Sequence, residues 1–66
     1  MKTVLKESAI GCMYLQMTEE KESRFTVLEI EMVGGIAHCF SKKEYGTRKQ
    51  ADGRYRRLVK KYRVEL

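Results

Sequence analysis

Proline and tryptophan are absent from this chain, histidine occurs once, and cysteine occurs twice. The single histidine is His38, and no aspartate precedes Asp52, so few side chains are available for acid–base or metal chemistry. No phosphate loop, dinucleotide fingerprint or metal-ligand spacing is present. The expectation is a non-enzyme with no cofactor and no metal. Cys12 and Cys39 are too few and too widely separated for a disulfide framework or a zinc site. Both sit in apolar segments, which predicts reduced thiols in the core and a cytoplasmic location. No stretch approaches 18 consecutive apolar residues, so no membrane-spanning helix is expected. The N-terminal Met-Lys-Thr-Val-Leu-Lys-Glu begins like a signal peptide but lacks its long apolar region and cleavage site, and is read as part of the domain.

The 66 residues contain no low-complexity tract, and at 42% hydrophobic and 35% charged they describe one globular domain, residues 1–66, rather than a disordered chain. A chain this short buries only about 60% of its unfolded surface, so it gains from a stabilising helper. With disulfides and metals set aside, self-association is left, and a homodimer is expected.

Charge is segregated along the chain. Residues 1–41 carry four basic and six acidic side chains, whereas residues 42–66 carry ten basic and three acidic ones. This asymmetry points to an anionic partner for the C-terminal half.

The basic half holds the clearest periodic signal. Ala51, Tyr55, Leu58, Val59 and Tyr62 fall on one helical stripe. The Thr47–Gln50 spacing is that of a capping box, so the helix is predicted to start at Thr47 and run to Tyr62, with residues 63–66 fraying or adding a short strand. Opposite the stripe project Lys49, Gly53, Arg56, Arg57 and Lys60, flanked by Arg54 and Lys61 on one border and Arg48 and Arg63 on the other. These eight cations are the candidate nucleic-acid-binding residues. They extend along roughly 20 Å of helix and match the charge spacing of a phosphate backbone. Asp52 has Arg48 and Arg56 as possible partners one turn away. Tyr55 and Tyr62 are read as packing residues, and Tyr45 as the exposed tyrosine available for stacking.

Ahead of the helix the patterns are those of strands. Residues 3–7 and 10–18 are predicted strands, with Gly11 a bulge in the second; 19–23 is a polar loop. Arg24–Val33 alternates, with Leu28, Ile30 and Met32 on one face and Glu29 and Glu31 on the other, beside Phe25 and Val27. Gly34-Gly35 predicts a tight primed turn into 36–40, placing Val33 opposite Ile36, Glu31 opposite His38 and Glu29 opposite Phe40. Ile30, Met32, Ala37 and Cys39 then line one side of that hairpin. His38 and Cys39 point to opposite faces, which disfavours a Cys–His nucleophile. A Glu31–His38 pair is read as an ordinary cross-strand contact. Ser41–Gly46 is predicted to be a loop or single turn, and Met13, Met17 and Met32 to serve the core or a dimer interface.

Strands first and one helix last define an α+β class: a small antiparallel sheet of three to four strands with one C-terminal basic amphipathic helix packed on one face. Within it, Tyr45, Thr47, Ala51 and Tyr55 have a spacing that resembles the strand-to-helix junction of plant AP2-type DNA-binding domains. That resemblance, over about a dozen residues, implies a three-stranded sheet with a C-terminal helix, and DNA read from Arg and aromatic side chains on the sheet. Here Glu29 and Glu31 are expected to stand exposed on the central strand and repel phosphate, which confines an anionic partner to the helix. Two functions are expected of such a surface. The first is binding of nucleic-acid phosphates. The second is docking on an acidic protein surface, as a phage- or mobile-element-type modulator would.

Overall fold

The computed structural model describes residues 2–21 and 23–65. Four strands precede one helix: β1 (Thr3–Ile10), β2 (Met13–Lys21), β3 (Arg24–Val33), β4 (Ile36–Tyr45) and α1 (Arg48–Glu65). The strands form one antiparallel sheet in the order β1-β2-β3-β4, and α1 covers one face. This is the expected α+β arrangement, a meander in which each strand pairs with its neighbour in sequence.

Backbone geometry at the turns explains where the strands divide. Gly34 and Gly35 have φ of 59° and 81°, the two positive values that a primed hairpin turn requires. The same chemistry operates earlier, where the outcome differs from the expectation. Gly11 has φ of 60° and forms a turn with Cys12, so the apolar run 10–18 is split between β1 and β2 rather than forming one bulged strand. The Met32 N–H donates to the Cys12 carbonyl at 2.7 Å, tying this turn to β3. β2 takes in residues 19–21 of the polar segment expected as a loop, leaving Ser23 in a turn, and β4 extends through Tyr45 across the segment expected as a loop or single turn. Ladder pairing with β3 outweighs the low strand propensity of Ser41-Lys-Lys-Glu44.

The hairpin register matches the expectation at Val33–Ile36 and Glu31–His38, and Ile30 pairs with Cys39 and Met32 with Ala37. Then it shifts: Glu29 pairs with Ser41, leaving Phe40 as the extra residue of a bulge. Leu5 and Glu20 are the unpaired residues at two further irregularities, in β1 and β2.

The face on which the helix sits reverses the expectation for β3. The core contains Met13, Leu15 and Met17 of β2, Phe25 and Val27 of β3, and Ile10 of β1, closed by Ala51, Tyr55, Leu58 and Tyr62 of α1. Glu29 belongs to this covered face and is only 4% exposed. Its carboxylate accepts from Arg54 at 3.1 Å and from the Tyr62 hydroxyl at 2.6 Å. Leu28, Ile30 and Met32 occupy the face without a helix. The register with β2 accounts for the choice: Leu15 and Met17 lie beside Glu29 and Val27, so the Glu-bearing side of β3 continues the larger apolar surface. Arg54 and Tyr62 supply the charge and hydrogen bond that let one carboxylate be buried there.

Both cysteines are exposed, against the expectation of core thiols. Cys12 lies in a turn, and Cys39 lies on the face that α1 leaves uncovered.

Thr47 caps α1 as expected, its side-chain oxygen accepting from the Gln50 N–H at 3.2 Å. Helical structure continues past Tyr62 to Glu65; Leu66, the end of the segment expected to fray or add a strand, lies outside the described residues. Tyr45, expected to be exposed, is partly buried and packs against the core.

Candidate anion-binding face

The helical stripe fixes which basic residues reach solvent. Burying Ala51, Tyr55, Leu58 and Tyr62 turns Lys49, Arg56, Arg57 and Lys60 outward, and all four are exposed, as are Arg48, Lys61 and Arg63. Arg54 differs: its guanidinium turns back to the buried Glu29, so it holds the fold rather than presenting a free charge. Lys61 lies over the Tyr62 ring at 5.3 Å, a cation–π contact that leaves the ammonium at the surface.

Three of the outward cations border a groove between α1 and the edge strand β1. Arg56, Lys60 and Arg63 line it from the helix, and Lys6 and Ser8 from β1, with Tyr55, Val59 and Val64 as its apolar wall. Its volume is about 480 Å³. Periodicity along the chain does not single out Lys6. Its place follows from pairing with Met17 of β2, which puts it on the covered face at the sheet edge, and no sequence spacing encodes that long-range register.

One carboxylate organises the groove. Asp52 accepts from the Lys6 ammonium and, at 2.9 Å, from Arg56 one helical turn away. Of the two partners suggested by spacing, the structure selects Arg56 and adds Lys6. The Lys6 hydrogen bond, supported by the charges of Lys6 and Arg56, holds the Asp52 carboxyl below the usual aspartate range. Lys6 also approaches the Tyr55 ring at 6.0 Å, and the Ser8 and Tyr55 hydroxyls are hydrogen-bonded to each other. Four cations thus line the groove, two of them, Lys6 and Arg56, paired with Asp52 beside it, together with two hydroxyls bonded to each other. Such an array suits phosphate or carboxylate oxygens.

Asp52, beside this groove, is paired with two cations. His38 stands on the exposed hairpin beside Glu31. Among the described residues there is no group of three or more His, Cys, Asp or Glu side chains placed to hold a metal ion, and no helix long and apolar enough to cross a membrane.

No protein-family model, curated protein or solved structure matches this chain. The sheet has four strands where the resemblance to AP2-type domains implied three.

Proposed function

We propose that this is a small non-enzymatic binding protein that contacts nucleic-acid phosphates through the outer side of its C-terminal helix, and that it works as a cytoplasmic homodimer. The observation that carries the reading is the gathering of Arg56, Lys60 and Arg63 with Lys6 around one groove, continued along the helix by Lys49, Arg57 and Lys61. Of the two strand carboxylates expected to repel phosphate, Glu29 is paired with Arg54 beneath the helix, and Glu31 lies opposite His38 on the β3–β4 hairpin. Phosphate contacts of this kind give affinity and salt dependence and read little sequence.

The test is fluorescence anisotropy with mixed-sequence DNA and RNA at two salt concentrations. Wild-type protein binds at low salt, and the Arg56→Ala/Lys60→Ala/Arg63→Ala variant loses most of that affinity. Its log K against log [salt] slope is shallower by about 2–3, one step of roughly 0.7–0.9 for each phosphate that the variant leaves unneutralised. Full, salt-sensitive binding by the triple variant would overturn the placement.

A second reading is supported by the apolar wall of the same groove, where Val59 and the 78%-exposed Val64 stand among the cations. An acidic protein surface with an apolar centre would complement it, as for a phage- or mobile-element-type modulator. No binding to either nucleic acid at low salt, together with a stoichiometric complex with one acidic protein, favours this alternative.

A further inference from the structure

The groove between β1 and α1 is lined by carbon as well as by charge, and we propose that it takes an unpaired nucleotide, so that the preferred ligand is single-stranded rather than duplex nucleic acid. Resting on the proposed contact with phosphates, this adds which form of nucleic acid the site accepts.

Two chemistries share the lining. Lys6, Arg56, Lys60 and Arg63 supply positive charge, while Tyr55, Val59 and Val64 form an apolar wall beside them. Val64 takes no part in the core, and Val59 is only partly buried against it. A single exposed valine on a flat surface is ordinary. These two stand in a groove of about 480 Å³, within the roughly 300–1,000 Å³ of sites that hold small molecules.

A duplex makes poor use of that wall. Its bases are paired and stacked inside, and its backbone can press only sugar and phosphate into a cleft. A single strand has bases free to splay out, and sites for single strands join a positive groove to side chains that receive the base. Here a phosphate meets Lys60 and Arg63, and the base lies along Val59 and Val64. The guanidinium planes of Arg56 and Arg63 can stack on a neighbouring base.

The polar groups agree. Asp52 already takes Lys6 and Arg56, so Lys60 and Arg63 are the lining cations outside that pairing. Arg56 to Arg63 spans about 10 Å of helix, the length of roughly three stacked phosphates on one strand and of fewer when the strand is stretched. The Ser8 and Tyr55 hydroxyls bind each other, which uses one of their two hydrogens. The other can be donated to a carbonyl or ring nitrogen on the pairing edge of a base, and in a duplex that edge is already occupied.

Electrostatics alone predicts the opposite preference, because a duplex carries the denser phosphate charge. The order of affinities therefore separates the two cases. Fluorescence anisotropy at one low salt concentration compares a labelled mixed-sequence single strand, of DNA and of RNA, with the same strand annealed to its complement. The single strand is expected to bind about tenfold tighter or more. Val64→Ser, at a position 78% exposed, should weaken single-strand binding by about three- to tenfold and leave duplex binding unchanged, while Val64→Phe should tighten it. Equal or tighter binding of the duplex overturns the proposal while leaving the phosphate contacts in place. So does a Val64→Ser variant that binds the single strand as the wild type does. No binding to either form overturns the proposal together with the function beneath it.

Discussion

Replacing Arg54 tests whether the helix is held to the sheet by a buried charge. The Glu29 side chain is 6% exposed and its Arg54 partner 30%. Breaking a fully buried pair by removing one member costs about 3–5 kcal/mol. Arg54 is partly solvated, so Arg54→Met should cost about 2–3 kcal/mol, the range of a charge-assisted hydrogen bond with some relief from water. At roughly 0.05–0.15 kcal/mol per residue, a domain of this length has about 3–10 kcal/mol in total, so the loss is a large fraction. Urea melts followed by far-ultraviolet circular dichroism read it directly. With a slope near 1 kcal/mol/M, the midpoint falls by about 2–3 M. The Glu29→Met/Arg54→Met double variant should regain most of the loss, because an apolar pair of similar volume often replaces a buried ion pair at little cost. A midpoint shift below about 0.5 M for Arg54→Met would refute the reasoning and return Arg54 to the set of free cations.

Further outcomes follow from other contacts. Asp52 has its pKa depressed in the folded state, so the stability it contributes is present above the ordinary aspartate pKa of about 3.9 and is lost as pH falls through the depressed folded value. Asp52→Asn should flatten that part of the acid limb in a melting-temperature series, and should tighten polyanion binding by freeing Lys6 and Arg56. The hydroxyls of Thr18 and Thr26 are buried with no hydrogen-bond partner among the described residues. Thr26→Val keeps the shape and removes such a group, so it should leave stability unchanged or raise it by up to about 1–2 kcal/mol in urea melts; a loss above about 1 kcal/mol would contradict this. Thr47→Ala removes the oxygen that caps the Gln50 N–H and should cost about 1 kcal/mol by the same assay. Ser23 has φ of 62°, a strained value for a residue with a side chain, and Ser23→Gly should stabilise by a few tenths to about 1 kcal/mol.

Local chemistry made the helix, its Thr47 cap and the Gly34-Gly35 turn readable, because each depends on residues within a few positions of one another. The α+β class followed from their order. The errors came where distant pairing decides. Gly11 has the same composition signal as a bulge, and only its positive φ with Cys12 behind it makes a turn. The face of β3 that the helix covers depends on Leu15 and Met17 lying beside Glu29 and Val27, which alternation within β3 does not encode. That reversal also exposed Cys39 and buried Glu29. In the candidate site, the outward positions of Lys49, Arg56, Arg57 and Lys60 were legible from helical periodicity. The removal of Arg54 and the addition of Lys6 were not, since both rest on contacts separated by 25 and 46 residues in sequence.

The central claim is that phosphates meet the cations around the groove between β1 and α1. Mapping amide and side-chain chemical-shift changes by NMR, during titration with a short mixed-sequence oligonucleotide, tests it residue by residue. The predicted changes centre on Lys6, Ser8, Arg56, Lys60 and Arg63, and fade as salt is added. Changes confined to the β3–β4 hairpin, or none at low salt, would contradict it.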